Sequence, residues 1–301
     1  MTRPLVVLDG NALAYRAYHA LLKTNLRTGR GEPTWAIYGF VRTLIEVVQS
    51  RKPGWFAVAF DSRKPTFRHQ LYTGYKAQRP PMPEEMRSQM RIIRHFVRLW
   101  GFPFLELDHF EADDAMGTLA RQANVQGVPA IIVSGDQDTL QLVSPLTRVL
   151  MPHKGTPDWH QYDEAMVRNR YGVTVGQFVD YKALIGDSSD NIPGVPGIGP
   201  EKAKVLLQQW GSVQAALDDL DSVQPPLTAK ALRNNPELFY LSHKLSAIST
   251  SAPVSFDVGQ MRTAPPADPV KLEELFDRLN FGHLKRSLGK TVALFEELAN
   301  A

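Results

Sequence analysis

Residues 5–11 read Leu5-Val6-Val7-Leu8-Asp9-Gly10-Asn11, a short apolar run that stops at an aspartate and a turn. Four consecutive apolar residues bounded by a turn are typical of a strand that is buried on both faces. The pattern recurs twice, because Trp55–Phe60 is followed by Asp61-Ser62 and Ala130–Val133 is followed by Ser134-Gly135-Asp136. These three segments predict parallel strands that each end close to an aspartate.

Helices separate the predicted strands. We expect helices over 12–22 and 35–49, a loop over 24–33 and a fourth strand over 148–151. Alternation of short apolar strands with helices predicts an α/β fold with a mostly parallel central sheet flanked by helices. After about residue 170 the sequence changes to helices and Gly/Pro turns, and the helical tail breaks near Phe281-Gly282. We therefore expect an α/β domain over 1–172 and a helical part over 173–301.

Composition narrows the class of protein. The chain has 301 residues, of which 43% are hydrophobic and 22% charged, as in ordinary globular proteins. No stretch approaches the roughly 18 consecutive apolar residues of a membrane span, and the N-terminal residues lack the features of a signal peptide. The absence of cysteine excludes disulfides and thiolate zinc sites. We expect a cytoplasmic monomer that does not bind membranes.

The charges are unevenly distributed although the net charge is only +3. Residues 63–98 contain nine Lys or Arg and two acids, whereas residues 106–114 contain five acids and no Lys or Arg. A basic block beside an acidic block suits a metal-dependent enzyme with a polyanionic substrate. A solvated helix next to a solvated loop is the alternative, and composition alone does not decide between them.

The aspartates at the strand ends are the first sign of a site. Ligands of open α/β sheets bind just beyond the carboxyl ends of the strands. One aspartate after a strand is usually a turn residue or a helix cap, but Asp9, Asp61 and Asp136 on neighbouring parallel strands would converge. This convergence favours a functional site.

Further carboxylates extend the set. Three open a predicted helix after Phe110, one follows Asp136 at position 138, and two precede a Pro/Gly turn. Each place has a local alternative: a helix dipole for the first group, a chance match or a phosphatase site for the second, and a capping turn for the third. The complete set of candidate metal ligands is Asp9, Asp61, Glu111, Asp113, Asp114, Asp136, Asp138, Asp187 and Asp190.

So many acids in one cavity would repel each other unless cations neutralised them. Oxygen ligands without suitably spaced His or Cys predict Mg²⁺ or Mn²⁺ rather than zinc. The number of carboxylates predicts two ions, which in such centres lie about 3.5–4 Å apart.

A basic segment and a glycine turn are the candidate DNA contacts. Arg87, Arg91, Arg94 and Arg98 fall on one stripe of a helix predicted to begin at Glu84, although internal ion pairs are the alternative for the last two. Before this helix, Tyr75 is expected to stack on a base beside the phosphate-directed Lys76.

The glycine turn lies in the second part of the chain. Gly197-Ile198-Gly199 precedes an apolar helix and exposes backbone N–H groups to a phosphate, with Lys202 adding positive charge. No set of base-reading side chains is apparent, so binding should be independent of the DNA sequence.

Together these motifs resemble the 5′ nuclease (flap endonuclease) family, and within it the 5′–3′ exonuclease domain of bacterial DNA polymerase I. The resemblance extends from about Leu5 to Leu288, and all nine acidic positions of the family pattern are occupied. The motifs that carry it are Asp9-Gly10-Asn11, Phe60-Asp61, Phe67-Arg68-His69, Gly74-Tyr75-Lys76-Ala77-Gln78-Arg79, Phe110-Glu111-Ala112-Asp113-Asp114, Gly135-Asp136-Gln137-Asp138 and Gly186-Asp187-Ser188-Ser189-Asp190-Asn191-Ile192-Pro193-Gly194.

The resemblance implies a PIN-like fold with a helical arch at about 63–100. It also implies a helix–three-turn–helix at about 184–210 that grips duplex DNA and binds K⁺ through main-chain carbonyls. Arg16 and Arg68 match residues that contact the substrate near the metals. Lys76 and Arg79 match residues that stabilise the scissile phosphate.

The expected activity is that of a structure-specific 5′ nuclease acting in bacterial replication and repair, close to the nucleoid. We expect two-metal hydrolysis of flapped or 5′-ended duplex DNA, including RNA-containing 5′ strands, with a 5′-phosphate and a 3′-hydroxyl as products. Asp136, Lys76 and Arg79 are the candidate catalytic residues. A PIN-type ribonuclease and a non-catalytic branch-binding module are the alternatives; the former is usually shorter, and the latter would be expected to have lost acids.

Overall fold

A six-stranded sheet forms the centre of the protein, in a computed structural model that describes residues 2–152 and 159–299. Its strand order is β3-β2-β1-β4-β5-β6; the first five strands are parallel and the sixth is antiparallel. The strands are β1 (Leu5–Asp9), β2 (Trp55–Phe60), β3 (Phe104–Glu106), β4 (Ala130–Val133), β5 (Thr147–Pro152) and β6 (Trp159–Tyr162). The mostly parallel sheet predicted from the sequence is confirmed. Sequence patterns missed β3 and β6, which are only three and four residues long.

Helices cover both faces of the sheet and form most of the second half of the chain. They are α1 (Gly10–Leu21), α2 (Trp35–Arg51), α3 (Phe67–Leu71), α4 (Glu84–Trp100), α5 (Ala112–Val125), α6 (Glu164–Tyr171), α7 (Phe178–Ile185), α8 (Pro200–Trp210), α9 (Val213–Asp218), α10 (Pro226–Asn234), α11 (Pro236–Ser246), α12 (Pro269–Arg278) and α13 (Gly282–Ala299). The break expected near Phe281 separates α12 from α13. Residues 300 and 301 of the predicted helical tail lie outside the described residues.

Strand β1 shows why the sheet is buried on both faces. Leu5 and Val7 pack into one core with α5 and the helical half, while Val6 and Leu8 pack into another with α1, α2 and α4. All four side chains are 0% exposed, so the unbroken apolar run follows from a parallel strand between two helical layers.

The position of β1 fixes the position of the site. Its neighbours are β2 on one side and β4 on the other, so the strand order reverses here. In open α/β sheets the crevice at such a reversal is the usual place for a ligand. Asp9 ends β1, Asp61 directly follows β2 and Asp136 lies three residues beyond β4.

Helix α4 has a different role from the one expected for the basic segment. Its apolar side, including Met86, Ile93 and Val97, is buried in the core beside α2. The helix is therefore a wall of the domain, and an arch stays a prediction only for the part of the predicted region before Glu84.

The four arginines that were predicted to form one stripe on α4 have different surroundings. Arg94 is 6% exposed and donates a hydrogen bond to Glu106 at 2.7 Å. The guanidinium carbon of Arg98 lies 3.6 Å from the centre of the Phe104 ring. Arg87 and Arg91 lie near Glu84, and both of them, like Arg98, are exposed. Of the two alternatives left open for Arg94, the structure therefore shows the internal ion pair, which neutralises its charge inside the protein.

The C-terminal tail belongs to the α/β half. Leu272, Phe276 and Leu284 of α12 and α13 pack into the same core as α2 and α4. The predicted helical part over 173–301 is therefore not one body, because the chain returns to the first half after the intervening helices. Apolar packing between segments distant in sequence caused this difference.

Candidate active site

Asp9 lies at the centre of the site and is only 5% exposed. One carboxylate oxygen accepts from Ala12 N at 2.8 Å and caps α1; the other accepts from Ser134 Oγ at 2.7 Å. Burial and the nearby Asp61 raise the pKa of Asp9 to about 7. The aspartate is therefore both a helix cap and a member of the acidic centre.

Asp61 connects three segments at the edge of the sheet. Its carboxylate accepts from Asn11 Nδ2 at 2.9 Å and from the Ala112 backbone at 3.0 Å. Burial raises its pKa, against the opposing charge of Lys76. The start of α1, the end of β2 and the start of α5 consequently meet at this side chain.

Asp113 has the least compensated carboxylate of the centre. Its Oδ1 atom is buried without a hydrogen-bond donor among the described residues. Burial, followed by the charges of Asp136, Asp9 and Asp61, raises its pKa well above the usual value. Asp136 in turn accepts from Asp138 N at 2.9 Å. The strand-end aspartates predicted to converge thus influence each other and Asp113 electrostatically.

Cations of the basic segment neutralise a second group of acids. Lys76 Nζ lies 2.7 Å from Glu111 Oε1 and 3.7 Å from Asp190 Oδ2, and Arg79 donates to Asp190. Lys76 adopts a left-handed backbone conformation with φ 55°, and its N–H donates to Asp190 O at 2.9 Å. This strained turn holds Lys76 and Arg79 between the two halves of the chain.

The structure corrects the expected stacking role of Tyr75. Its side chain is 3% exposed, and its hydroxyl lies 3.0 Å from Glu111 Oε2 and 3.2 Å from Asp190 Oδ2. A ring in this position has no free face for a base. Tyr75 instead joins the arch segment to the carboxylates.

Arg68 is also committed to internal contacts. It is 2% exposed, forms two hydrogen bonds of 2.9 Å with Asp114, and donates to the backbone carbonyls of Leu245 and Ala247. Asp114 is 0% exposed and does not line the cavity. The predicted DNA contact of Arg68 and metal contact of Asp114 gain no support from this geometry.

Lys182 contacts two further candidate ligands, Asp138 and Asp187. Its ammonium lies 2.9 Å from Asp138 Oδ1 and 2.8 Å from Asp187 Oδ2. Asp138 is buried beside Asp136, so its pKa rises to about 7 despite the lysine. Asp187 is more exposed and accepts from Lys182 and Ser189, which lower its pKa to about 2. Sequence reasoning missed Lys182; its signal is a lone lysine within an apolar helix.

A cavity of about 1230 Å³ opens in front of the acids. Its wall contains five of the candidate ligands, namely Asp9, Asp61, Glu111, Asp113 and Asp136, together with Lys76 and Arg79. Along α1 and α2 it continues past Arg16, His19 and Arg42, of which the sequence suggested only the first. The Arg16 guanidinium lies 5.5 Å from the centre of the Trp159 ring.

The hairpin between α7 and α8 depends on two glycines. A Cβ atom on Gly186 would lie 2.6 Å from Ile192 O, and one on Gly194 would lie 2.6 Å from Gly186 N. Beyond this crossing Gly197 and Gly199 are exposed, and Lys202 Nζ donates to Gly197 O at 2.8 Å. The backbone at the start of α8 is therefore accessible, and its contact with a phosphate stays a prediction.

The donor set fits a divalent cation, although no three His, Asp or Glu side chains in residues 2–152 and 159–299 form a ready-made ligand set. The donors are carboxylate oxygens, which suit Mg²⁺ or Mn²⁺. The buried, donor-free oxygen of Asp113 and the raised pKa values of Asp9, Asp61 and Asp138 indicate an excess of negative charge. Lysine ammonium groups already contact Glu111, Asp138 and Asp187.

Comparison with known proteins gives one consistent family. Residues 4–172 match the model for the 5′-3′ exonuclease N-terminal resolvase-like domain, and residues 173–269 match its C-terminal SAM fold. DNA polymerase I of Chloroflexus aurantiacus is 43% identical over 286 residues, covering 94% of this chain and 30% of the relative. DNA polymerase I of Bacillus caldotenax is 40% identical over 281 residues, which cover 93% of this chain and 32% of the relative. The chain thus spans about a third of the length of these relatives.

The same fold occurs in a solved nuclease. The D15 flap endonuclease of bacteriophage T5, in a pseudo-enzyme–product complex with DNA and metal ions, superposes with a TM-score of 0.69 at 20% identity. The match covers 99% of this chain and 100% of the phage chain. At this identity the likeness establishes the fold. No helix among the described residues is long and apolar enough to cross a membrane.

Proposed function

Because the chain belongs to the 5′-3′ exonuclease family, we propose that it is a divalent-metal-dependent nuclease that cuts DNA at 5′ ends and flap junctions. The observation that carries the proposal is the buried acidic centre at the reversal of the strand order, open to a cavity that also contains Lys76 and Arg79. Family membership confirms the resemblance seen in the motifs.

The nine carboxylates divide into three groups by position. Asp9, Asp61, Glu111, Asp113 and Asp136 line the cavity and would hold one Mg²⁺ or Mn²⁺ ion. Asp138 of the α/β half would support a second ion together with Asp187 and Asp190 of the helical half. Asp114 acts through Arg68 to fix the start of α5, where Glu111 and Asp113 lie. Divalent ions bound there supply positive charge to the reacting phosphate and lower the pKa of water.

Residues of the chain orient the substrate and stabilise charge. Lys76 and Arg79 both line the cavity, and their cationic groups are paired with Glu111 and Asp190. In the complex they would donate to the scissile phosphate, where negative charge increases in the transition state. Cleavage on the 5′ side of that phosphate leaves a 5′-phosphate and a 3′-hydroxyl.

Two surfaces would hold the DNA. Arg16, on the cavity wall, would contact the strand near the metals. Gly197, Gly199 and Lys202 would contact the duplex backbone at the start of α8, with K⁺ bound by main-chain carbonyls of the same turn. Such backbone contacts are independent of sequence, which agrees with selection of the substrate by its structure.

The biological setting is part of the proposal. The matched relatives are bacterial DNA polymerases I, which supports a role in replication and repair. We propose that the protein acts there as a monomer in the cytoplasm, close to the nucleoid. Substrates would be branched or 5′-ended duplexes with single-stranded flaps, including 5′ strands that contain RNA.

A flap-cleavage assay tests the proposal. The purified chain is incubated with a duplex that carries a labelled single-stranded 5′ flap, in Mg²⁺ or in chelator, and the product ends are mapped. Metal-dependent cutting at the junction with a 5′-phosphate product is expected. A bound but intact flap would contradict catalysis and favour a branch-binding module, whereas cleavage of RNA alone would favour a PIN-type ribonuclease.

A further inference from the structure

Lys182 is a buried cation placed between two candidate ligands of the second metal ion. It lies on α7 with 7% of its surface exposed. Its Nζ atom contacts Asp138 at 2.9 Å and Asp187 at 2.8 Å. These carboxylates come from different halves of the chain, 49 residues apart in sequence (187 − 138), and the ammonium is the group that joins them.

Contacts on both sides fix the position of this ammonium, because one carboxylate oxygen lies 2.9 Å from Nζ and the other 2.8 Å. The helix leads directly into the glycine crossing, because Gly186 N donates to Lys182 O at 2.8 Å. The cation therefore has a defined position, unlike a lysine on the surface.

A divalent ion and this ammonium need the same oxygens. In a metal site, two carboxylates typically bind one cation that lies between them. Here the Lys182 ammonium already occupies that position between Asp138 and Asp187. Around Asp113 the situation differs. The buried Oδ1 atoms of Asp113 and Asp138 both lack a hydrogen-bond donor of good geometry among the described residues. Asp138 Oδ1 nevertheless lies 2.9 Å from the Lys182 ammonium, whereas no ammonium in the described part of the chain contacts Asp113. The two ends of the acidic centre therefore differ in how much of their charge the protein itself neutralises.

We propose that Lys182 is a built-in competitor of the divalent ion at the Asp138–Asp187 pair. In the metal-free protein the ammonium holds the two halves of the site together, and a cation binds this pair only when the ammonium withdraws. The end of the site at Asp113 consequently binds metal first and more tightly, and the Asp138–Asp187 end binds weakly. The inference rests on the proposed function, which identifies these acids as metal ligands.

Calorimetric titration of Mn²⁺ into the whole, DNA-free protein tests the competition. The wild type should show a tighter and a weaker site. In Lys182→Met the weaker site should tighten by at least about tenfold. An opposite charge at this distance lowers the proton affinity of a carboxylate by about ten- to a thousandfold, and we expect an effect of at least the smaller size on Mn²⁺ affinity. Lys182→Arg keeps the charge and should retain weak binding.

Thermal unfolding supplies a second readout. In chelator Lys182→Met should melt below the wild type, because Asp138 and Asp187 then repel each other, and saturating Mn²⁺ should recover most of this loss. Lys285→Met is the matched control: Lys285 also bridges two carboxylates, at 3.3 Å from Glu273 and 3.0 Å from Asp277, but on the surface. It should change neither Mn²⁺ binding nor the metal dependence of melting.

The outcomes separate this inference from the proposed function. If the wild type binds Mn²⁺ but Lys182→Met binds it equally or more weakly, Lys182 is only structural and the competition is refuted. If the wild type binds no Mn²⁺, the metal site itself is refuted. Lys182→Gln, which is neutral and can still donate a hydrogen bond, gives the same test should the methionine variant fail to fold.

Discussion

Replacement of Arg68 by Met should lower stability rather than DNA affinity. The change removes a guanidinium that contacts both oxygens of Asp114 at 2.9 Å and two backbone carbonyls. Asp114, 0% exposed, would be left as a buried charge with only backbone donors. Loss of one partner of a buried ion pair costs about 3–5 kcal/mol, a large part of the roughly 5–15 kcal/mol that stabilises a typical domain.

Urea unfolding followed by circular dichroism measures this effect. With a slope of about 3 kcal/mol per M, the midpoint should fall by about 1 M or more. Arg121→Met, a change of an exposed arginine on α5, should stay within about 0.5 kcal/mol. Adding Asp114→Asn should recover part of the loss, because the uncompensated charge disappears. Unchanged stability together with a tenfold loss of DNA affinity would refute the structural role and restore the expected DNA contact.

Three further predictions follow from the site. Arg79→Ala should lower the single-turnover cleavage rate more than DNA affinity, because its cation acts on the scissile phosphate; a loss confined to affinity would contradict that role. Tyr75→Phe removes the hydroxyl beside Glu111 and Asp190 and should cost about 1 kcal/mol of stability without weakening DNA binding; weaker binding at unchanged stability would restore a stacking role. In chelator, the free energy of unfolding should fall as the pH rises from about 4 to about 7, because folding raises the pKa of Asp9 from 3.8 to about 7. Saturating Mg²⁺ should flatten this profile, and an already flat profile in chelator would contradict the raised pKa.

The sheet and its acids could be predicted because their signals are local. A parallel strand buried on both faces is an unbroken apolar run, as in Leu5–Asp9, and the turn that ends it is visible in the next residues. Asp9, Asp61 and Asp136 then converge by the geometry of parallel strands alone. The glycine hairpin is equally local, because Gly186 and Gly194 permit backbones to approach closely.

The missed features depend on packing between distant segments. Tyr75 looks like an exposed aromatic residue beside a lysine, but Glu111 and Asp190 provide polar partners that bury it. Lys182 looks like an ordinary helical lysine until α7 is placed against Asp138. Likewise α12 and α13 lie far along the chain, yet their apolar sides complete the core of the first half. No pattern within one segment specifies these contacts.

The most direct test of the account is cleavage of a 5′-flap duplex by Asp136→Asn beside the wild type, with DNA binding measured in the same preparation. Asp136 lines the cavity and its charge raises the pKa of Asp113; the variant keeps its shape but removes one anionic ligand. Junction cleavage should be abolished in Mg²⁺, while flap binding and folding should be retained. Turnover close to that of the wild type would contradict the assignment of the strand-end aspartates as the metal-binding centre.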